Sequence, residues 1–122
     1  MKIVITATVP DLDSAIDPRF GRADHFVIVD VDTLEWSASP NPGVNALGGA
    51  GTLAAQFVAE QDVQVVISGD FGPNAYTALN AAGVDIYLFG HVRTVREAIE
   101  HFKDGKLTLI GTPTSAQHHH RN

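Results

Sequence analysis

Two arginines form the most chemically suggestive feature of the sequence, because they flank an aromatic residue in Arg19-Phe20-Gly21-Arg22. A guanidinium group is always charged and presents a planar fork of N–H donors, which suits oxyanions and other polyvalent anions. Gly21 lets the main chain come close to a ligand, and Phe20 either anchors this loop or forms one wall of a pocket. The alternative is that both guanidinium groups pair with the nearby carboxylates of Asp17 and Asp24 on a solvated loop.

Glycines mark two predicted helix starts, Gly49-Ala50-Gly51 and Gly69-Asp70-Phe71-Gly72-Pro73-Asn74. Proline is favoured at a first helical position, where its missing N–H costs nothing. The first N–H groups of a helix have no intrahelical partner and carry partial positive charge, so they suit an anionic ligand. The second stretch by itself is also compatible with a plain strand-to-helix connection. We predict that both starts and the arginine pair form one binding crevice, lined by Arg19, Phe20, Gly21, Arg22, Gly49, Ala50, Gly51, Gly72, Pro73 and Asn74.

Catalytic patterns are poorly represented. The first predicted strand has no carboxylate, whereas a metal-dependent nuclease on such a sheet needs acidic residues on its strands. Asp70 alone fits a turn-capping role. The sequence contains no cysteine, so disulfides and thiolate metal ligands are excluded. The glycine-rich stretches match neither the phosphate loop nor the dinucleotide fingerprint, and we therefore expect a protein that is not an enzyme.

Histidines are the remaining soft metal ligands. His91 is the best placed, because it follows a predicted strand and would lie at the same edge of the sheet as the other loops. We predict His91 as a metal ligand. The run His118-His119-His120 near the C-terminus would bind a transition metal adventitiously.

Length, composition and charge limit the class of protein. The 122 residues are 44% hydrophobic, which predicts one folded domain over residues 1–111, followed by a flexible, His-containing tail over 112–122. The net charge of −6 argues against nucleic-acid or anionic-membrane partners. No apolar run approaches the roughly 20 residues that span a bilayer, and no signal peptide is recognisable. We expect a cytoplasmic protein.

The elements that must position these residues can be read from hydrophobic periodicity and turn residues. Strands are predicted at 2–9, 25–31, 34–39, 63–68 and 84–89, and helices at 49–60, at 73–82 and from residue 95 after a capping box. A three-strand meander followed by alternating helices and strands predicts a three-layer α/β/α sandwich around a mixed five-stranded sheet, with 107–110 as a candidate edge strand. In such sheets, ligands lie beyond the carboxyl ends of the parallel strands.

The order and spacing of these motifs resemble the dinitrogenase iron–molybdenum cofactor biosynthesis family, which includes NifX-like domains, the C-terminal part of NifB, and NafY. The similarity spans Met1 to about Ile110 and rests on five stretches, Asp17–Ala23 with Phe26, Gly49–Gly51, Gly69–Ala75, Thr94–Ile99 and Gly105–Leu107. The resemblance implies a ribonuclease H-like fold and a non-enzymatic protein. It also implies an anionic metal–sulfur ligand of the iron–molybdenum or iron–sulfur type, bound non-covalently and transiently, with cluster-assembly proteins as partners.

One position departs from the family pattern, because many members carry histidine where this chain has Arg19. Arginine offers charge and hydrogen bonds but does not coordinate a metal, so a cluster would be held here as an anion. Two other functions stay open. One is a regulatory or scaffold module that acts through protein contacts, and the other, by analogy of fold alone, is hydrolysis of nucleic acid.

Overall fold

A computed structural model describes residues 1–114 of the chain as one mixed sheet with three helices. The elements are, in chain order, β1 (Lys2–Ala7), β2 (His25–Asp30), β3 (Trp36–Pro40), α1 (Ala50–Glu60), β4 (Val65–Ser68), α2 (Pro73–Ala81), β5 (Asp85–Leu88), α3 (Val95–Lys103) and β6 (Thr108–Leu109). None of the described helices is both long enough and apolar enough to cross a bilayer.

The strands lie in the order β3-β2-β1-β4-β5-β6. The first three form the predicted antiparallel meander, while β1, β4 and β5 run parallel to one another. The carboxyl ends of β1 and β4 therefore lie side by side in the middle of the sheet. There the Thr6 hydroxyl oxygen lies 2.6 Å from the main-chain oxygen of Asp17 and 2.7 Å from the Ser68 hydroxyl oxygen. These buried contacts fix the start of the first long loop against the end of β4.

Alternation along the strands produces two apolar layers, one on each face of the sheet. Ile3 and Ile5 of β1 pack with the buried side chains of α3, whereas Val4, which points to the opposite face, packs with α1 and α2. This distribution follows from the two-residue period of a strand. The predicted three-layer α/β/α sandwich is confirmed.

The number of strands differs from the prediction. The sheet has six strands instead of five, because residues 108–109 pair antiparallel with the end of β5. The flexible tail over 112–122 stays a prediction; at its start, Thr114 is hydrogen-bonded to the turn that follows β4. The remaining tail, including the three consecutive histidines, lies outside the described residues.

Candidate functional site

All ten residues predicted to line the crevice surround a single hollow of about 410 Å³ at the carboxyl ends of β1 and β4. Thr52, Asp70 and Ala75 complete its wall, and we call this cavity the main hollow. Three separate segments meet there: the loop after β1, the start of α1 and the start of α2. The proximity of these residues is a property of the fold, whereas a ligand-binding role for them stays a prediction.

Glycine residues allow the three segments to approach each other, because glycine has no Cβ atom. A Cβ atom at Gly21 would lie 3.0 Å from the main-chain nitrogen of Gly51, and one at Gly51 would lie 3.1 Å from the Cβ atom of Ala75. A Cβ atom at Gly43 would lie only 2.5 Å from the carbonyl oxygen of Ala50. These glycines are therefore required for close contact between main chains, which brings two helix starts to the same cavity.

Neither helix that begins at the main hollow has a side-chain cap. Gly49 is the N-cap of α1 in a left-handed conformation, at φ 68°, and Gly72 is the N-cap of α2 in an extended one. No side-chain hydrogen bond caps either helix, and neither has an acidic residue in its first turn. The first N–H groups of both helices thus keep their donor capacity and their partial positive charge at the cavity.

The guanidinium group of Arg19 is paired with a carboxylate. Its guanidinium Nη2 lies 3.2 Å from Asp17 Oδ2, and the arginine side chain is 62% exposed whereas that of Asp17 is 5% exposed. The hydrogen bonds that Arg19 donates to the Asp17 carboxylate, together with the negative charge of that carboxylate, raise the pKa of Arg19 above its ordinary value. For this arginine the alternative interpretation, pairing with a neighbouring acid, is correct, and much of its charge is compensated.

Arg22 has different partners. Its Nη1 group donates to the carbonyl oxygens of Gly43, Val44 and Ala46, with the shortest bond, 2.7 Å, to Ala46. Within residues 1–114 no carboxylate lies at ion-pair distance from it, so the alternative in which it pairs with Asp24 is not found. Because its partners are neutral, Arg22 brings a full positive charge to the wall of the main hollow.

Phe20 anchors the loop between the two arginines. Its side chain is completely buried, and its ring stacks on that of Phe71 at a centroid distance of 5.1 Å and lies 5.7 Å from that of Phe26. Aromatic contacts of this kind add to the free energy of burial. Of the two roles considered for Phe20, the structure shows the anchor: the ring fixes the position of Arg19 and Arg22 and presents no surface to a ligand.

Asn41 was not predicted from the sequence as part of the site, although its side chain contacts the loop that carries Arg19 and Arg22. Its side chain is buried, donates to the main-chain oxygen of Phe20 over 3.1 Å, and accepts from the N–H of Gly43 over 2.9 Å. It therefore joins the arginine loop to the segment that Arg22 binds. The Asn41-Pro42-Gly43 stretch is typical of an asparagine-stabilised turn, and this pattern was the available signal.

Comparisons with known proteins place the chain in a family. The family model described as dinitrogenase iron-molybdenum cofactor matches residues 1–105. The chain belongs to this family. An uncharacterized protein of Methanocaldococcus jannaschii is 31% identical over 110 residues, which are 88% of this chain and 89% of the relative.

Two solved structures of similar sequence share the fold of this family member. The apo form of the orange protein from Desulfovibrio gigas superimposes with a TM-score of 0.89 at 38% identity, over 93% of this chain and 96% of the other. A putative NifB protein from Thermotoga superimposes with a TM-score of 0.79 at 33% identity, with the same coverage of both chains. The mixed α/β fold of this chain is thus found in proteins related to it by sequence.

His91 does not reach the main hollow in this dinitrogenase cofactor family member. It lines a different cavity of about 360 Å³ together with His101 and Lys106. No group of three or more His, Cys, Asp or Glu side chains within residues 1–114 is arranged to hold a metal ion. A ligand role for His91 in the predicted crevice therefore requires a different conformation, and its role as a metal ligand stays a prediction.

Proposed function

We propose that this protein is a non-enzymatic carrier that binds an anionic metal–sulfur cluster in the main hollow. The cluster would be an iron–molybdenum cofactor, one of its precursors, or a related molybdenum or iron–sulfur species. Membership of the dinitrogenase iron-molybdenum cofactor family supports this class of ligand. The similarity to a protein described in its apo form supports a ligand-binding role for the shared fold.

One observation carries the proposal. Among the residues that the structure describes, two helix starts without side-chain caps and an arginine without a carboxylate partner line the same hollow. Main-chain N–H groups at helix starts and a planar guanidinium group are donors that recognise an anion without forming covalent bonds. The chain has a net charge of −6, so these donors form a locally positive site on an acidic protein.

The donor set also fits a carrier. With no cysteine in the sequence, no thiolate can bond to iron or molybdenum. A cluster held only by charge and hydrogen bonds can be released to a second protein without breaking a metal–ligand bond to this chain. We therefore propose exchange of the cluster with cluster-assembly proteins as the physiological process.

The experiment uses tetrathiomolybdate as the probe under anaerobic conditions. Purified protein is incubated with the probe and desalted, and molybdenum is measured in the protein fraction together with the visible absorption spectrum. We expect the wild-type protein to retain the coloured probe. Replacement of Arg22 by Ala removes the uncompensated charge, and we expect it to reduce retention by about tenfold or more, as for loss of a charge-assisted hydrogen bond.

Arg96→Ala is the matched control. Arg96 is another partly exposed arginine, and its partner is the carboxylate of Asp13, with 2.8 Å between Nε and Oδ1. This variant loses one positive charge from the protein but leaves the main hollow unchanged, so it should retain the probe as the wild type does. If no coloured species co-elutes with the wild type, or if Arg22→Ala and Arg96→Ala retain equal amounts, the cluster hypothesis fails and a scaffold role becomes the better explanation.

A further inference from the structure

The end of the described chain returns to the wall of the main hollow. The Thr114 hydroxyl donates to Asp70 Oδ1 over 2.7 Å and accepts a hydrogen bond from the N–H of Phe71, also over 2.7 Å. The main-chain N–H of Thr114 donates to the carbonyl oxygen of Phe71 over 2.9 Å. The carbonyl oxygen of Phe71 also lies 3.2 Å from the Thr114 hydroxyl, as a second and more distant acceptor. Four hydrogen bonds thus attach one residue, 43 positions away from Phe71 in the sequence, to the turn between β4 and α2.

The carboxylate of Asp70 is the one acidic group among the described residues that line the main hollow. A negative charge there opposes an anionic ligand. The main chain of Asp70 is nevertheless needed, since its carbonyl oxygen accepts from the N–H of Phe20 over 3.2 Å. Arg19 does not neutralise this carboxylate, because its guanidinium group is paired with Asp17.

We propose that Thr114 is a positioning residue of the anion site, acting through Asp70 and the turn that Asp70 begins. Its hydroxyl proton holds the Asp70 carboxylate in one orientation and withdraws part of its charge from the hollow. Its hydroxyl oxygen satisfies the Phe71 N–H and so fixes the main chain that leads into the start of α2. The inference rests on the proposed function, because it concerns the affinity of the same site.

Only a hydroxyl side chain can perform both tasks at this position. A serine or threonine hydroxyl donates one hydrogen bond while it accepts others, and a valine of the same shape does neither. The pair Thr114→Val and Thr114→Ser therefore separates the hydrogen bonds from the packing of the side chain.

The test measures the dissociation constant of tetrathiomolybdate by anaerobic equilibrium dialysis with the full-length protein. We expect Thr114→Val to weaken binding by about tenfold, as for loss of a hydrogen bond to a charged group, and Thr114→Ser to stay within about twofold of the wild type. Thermal unfolding of each variant is recorded in parallel. Equal affinities of the wild type and Thr114→Val, or failure of serine to restore binding, would overturn the proposal.

The variant Asp70→Asn tests whether Thr114 acts through the charge of Asp70 or only through the stability of the fold. The amide keeps the shape of the side chain but removes the charge that Thr114 holds. We expect Asp70→Asn alone to tighten probe binding, and Thr114→Val to cause a clearly smaller loss in the Asp70→Asn background than in the wild type, since interacting residues are non-additive. The same fold-loss in both backgrounds would contradict an action through Asp70.

The outcomes separate this proposal from the cluster-carrier proposal. Probe retained by the wild type and equally by Thr114→Val overturns the role of Thr114 and leaves the carrier function standing. No binding of the probe by the wild type overturns both.

Discussion

The helix starts of this protein fall into two groups. The start of α3 is closed by its own side chains: Thr94 accepts from the N–H of Glu97 over 3.2 Å, and the Glu97 carboxylate accepts from the N–H groups of Arg93 and Thr94. The starts of α1 and α2 have glycine at the N-cap position, no side-chain cap and no acidic residue in the first turn. Both of them, and not α3, line the main hollow.

The two groups of helix starts differ in which acceptors are available to the first N–H groups of the helix. Every helix leaves its first N–H groups without intrahelical partners, and these must be satisfied by side chains, water or a ligand. In α3 the N–H of Glu97 donates to the Thr94 hydroxyl, and the N–H groups of Val95 and Arg96 donate to the carbonyl oxygens of Ser14 and Leu12. The Glu97 carboxylate complements the positive end of the helix dipole. In α1 and α2 both the donors and the dipole remain available to a ligand. Four predictions test this contrast.

The largest effect is expected from Gly51→Val, which fills the space between the two uncapped helix starts. A Cβ atom at this position already lies 3.1 Å from that of Ala75, so two further methyl groups must push α1 and α2 apart. We expect the free energy of unfolding to fall by about 1–3 kcal/mol, as for other overpacked sites, and tetrathiomolybdate binding to be lost. Urea denaturation and equilibrium dialysis measure the two effects.

Gly48→Val is the matched control for this substitution. A Cβ atom at Gly48 meets no atom within 4 Å, and Gly48 does not line the main hollow. The control should leave probe binding unchanged. If Gly51→Val binds the probe as tightly as Gly48→Val, the meeting of the two helix starts is not what forms the site.

A smaller effect is expected when α2 is given a cap of its own. Gly72 has φ −70° and ψ 172°, an extended conformation that aspartate adopts readily as an N-cap. In Gly72→Asp the new carboxylate would accept from the first N–H groups of α2, raise stability by a few tenths of a kcal/mol, and compete with an anionic ligand. Probe affinity should therefore fall severalfold while the melting temperature does not.

Thr94→Ala is the reciprocal variant at α3. Loss of a threonine N-cap typically costs about 1 kcal/mol of stability. Because α3 takes no part in the main hollow, probe affinity should not change. We therefore expect a substitution at the start of α3 to change stability without changing probe affinity. If Thr94→Ala lowers both stability and affinity, the two kinds of helix start do not have separate roles.

The smallest effect is expected from Glu97→Gln as a function of pH. Hydrogen bonds from the N–H groups of Arg93 and Thr94 lower the pKa of Glu97. A carboxyl group with a lowered pKa in the folded state stabilises the fold above its unfolded pKa of about 4.3, and this contribution is lost as pH falls through the lower, folded value. The wild type should melt slightly above Glu97→Gln at pH 7, and the two curves should converge in acid. A difference that stays constant between pH 7 and pH 3 would contradict this assignment.

Local patterns predicted most of the elements because each depends on residues close in sequence. Thr94 and Glu97 are three positions apart, so the capping box could be recognised directly, and Pro73 marked the first residue of α2. The edge strand β6 was harder to assign, since two residues carry almost no periodic signal and pair only because β5 leaves an open edge.

Long-range contacts at the site could not be predicted in the same way. Arg22 donates to the carbonyl oxygens of residues 43, 44 and 46, which are 21 to 24 positions away, whereas Arg19 is paired with Asp17, only two positions away. The contact between Thr114 and Asp70 crosses 44 positions, and the sequence alone indicated a tail there. His91 lines a second cavity and not the main hollow, and the sequence alone could not show that this edge of the sheet has more than one cavity.

The sequence by itself determined which donors this protein possesses: two arginines around Phe20, glycines instead of capping residues before α1 and α2, and no thiolate. Only the tertiary structure decided which of those donors keep their charge and face one cavity. The physical reason is that a side chain's type and its neighbours in sequence set its chemistry, whereas its partners are set by packing. Here the close contacts at Gly21 and Gly43 bring the main chains of distant segments together, and Arg22 donates to carbonyl oxygens 21 to 24 positions away. The carboxylate partner of Arg19, in contrast, lies only two positions away in the sequence.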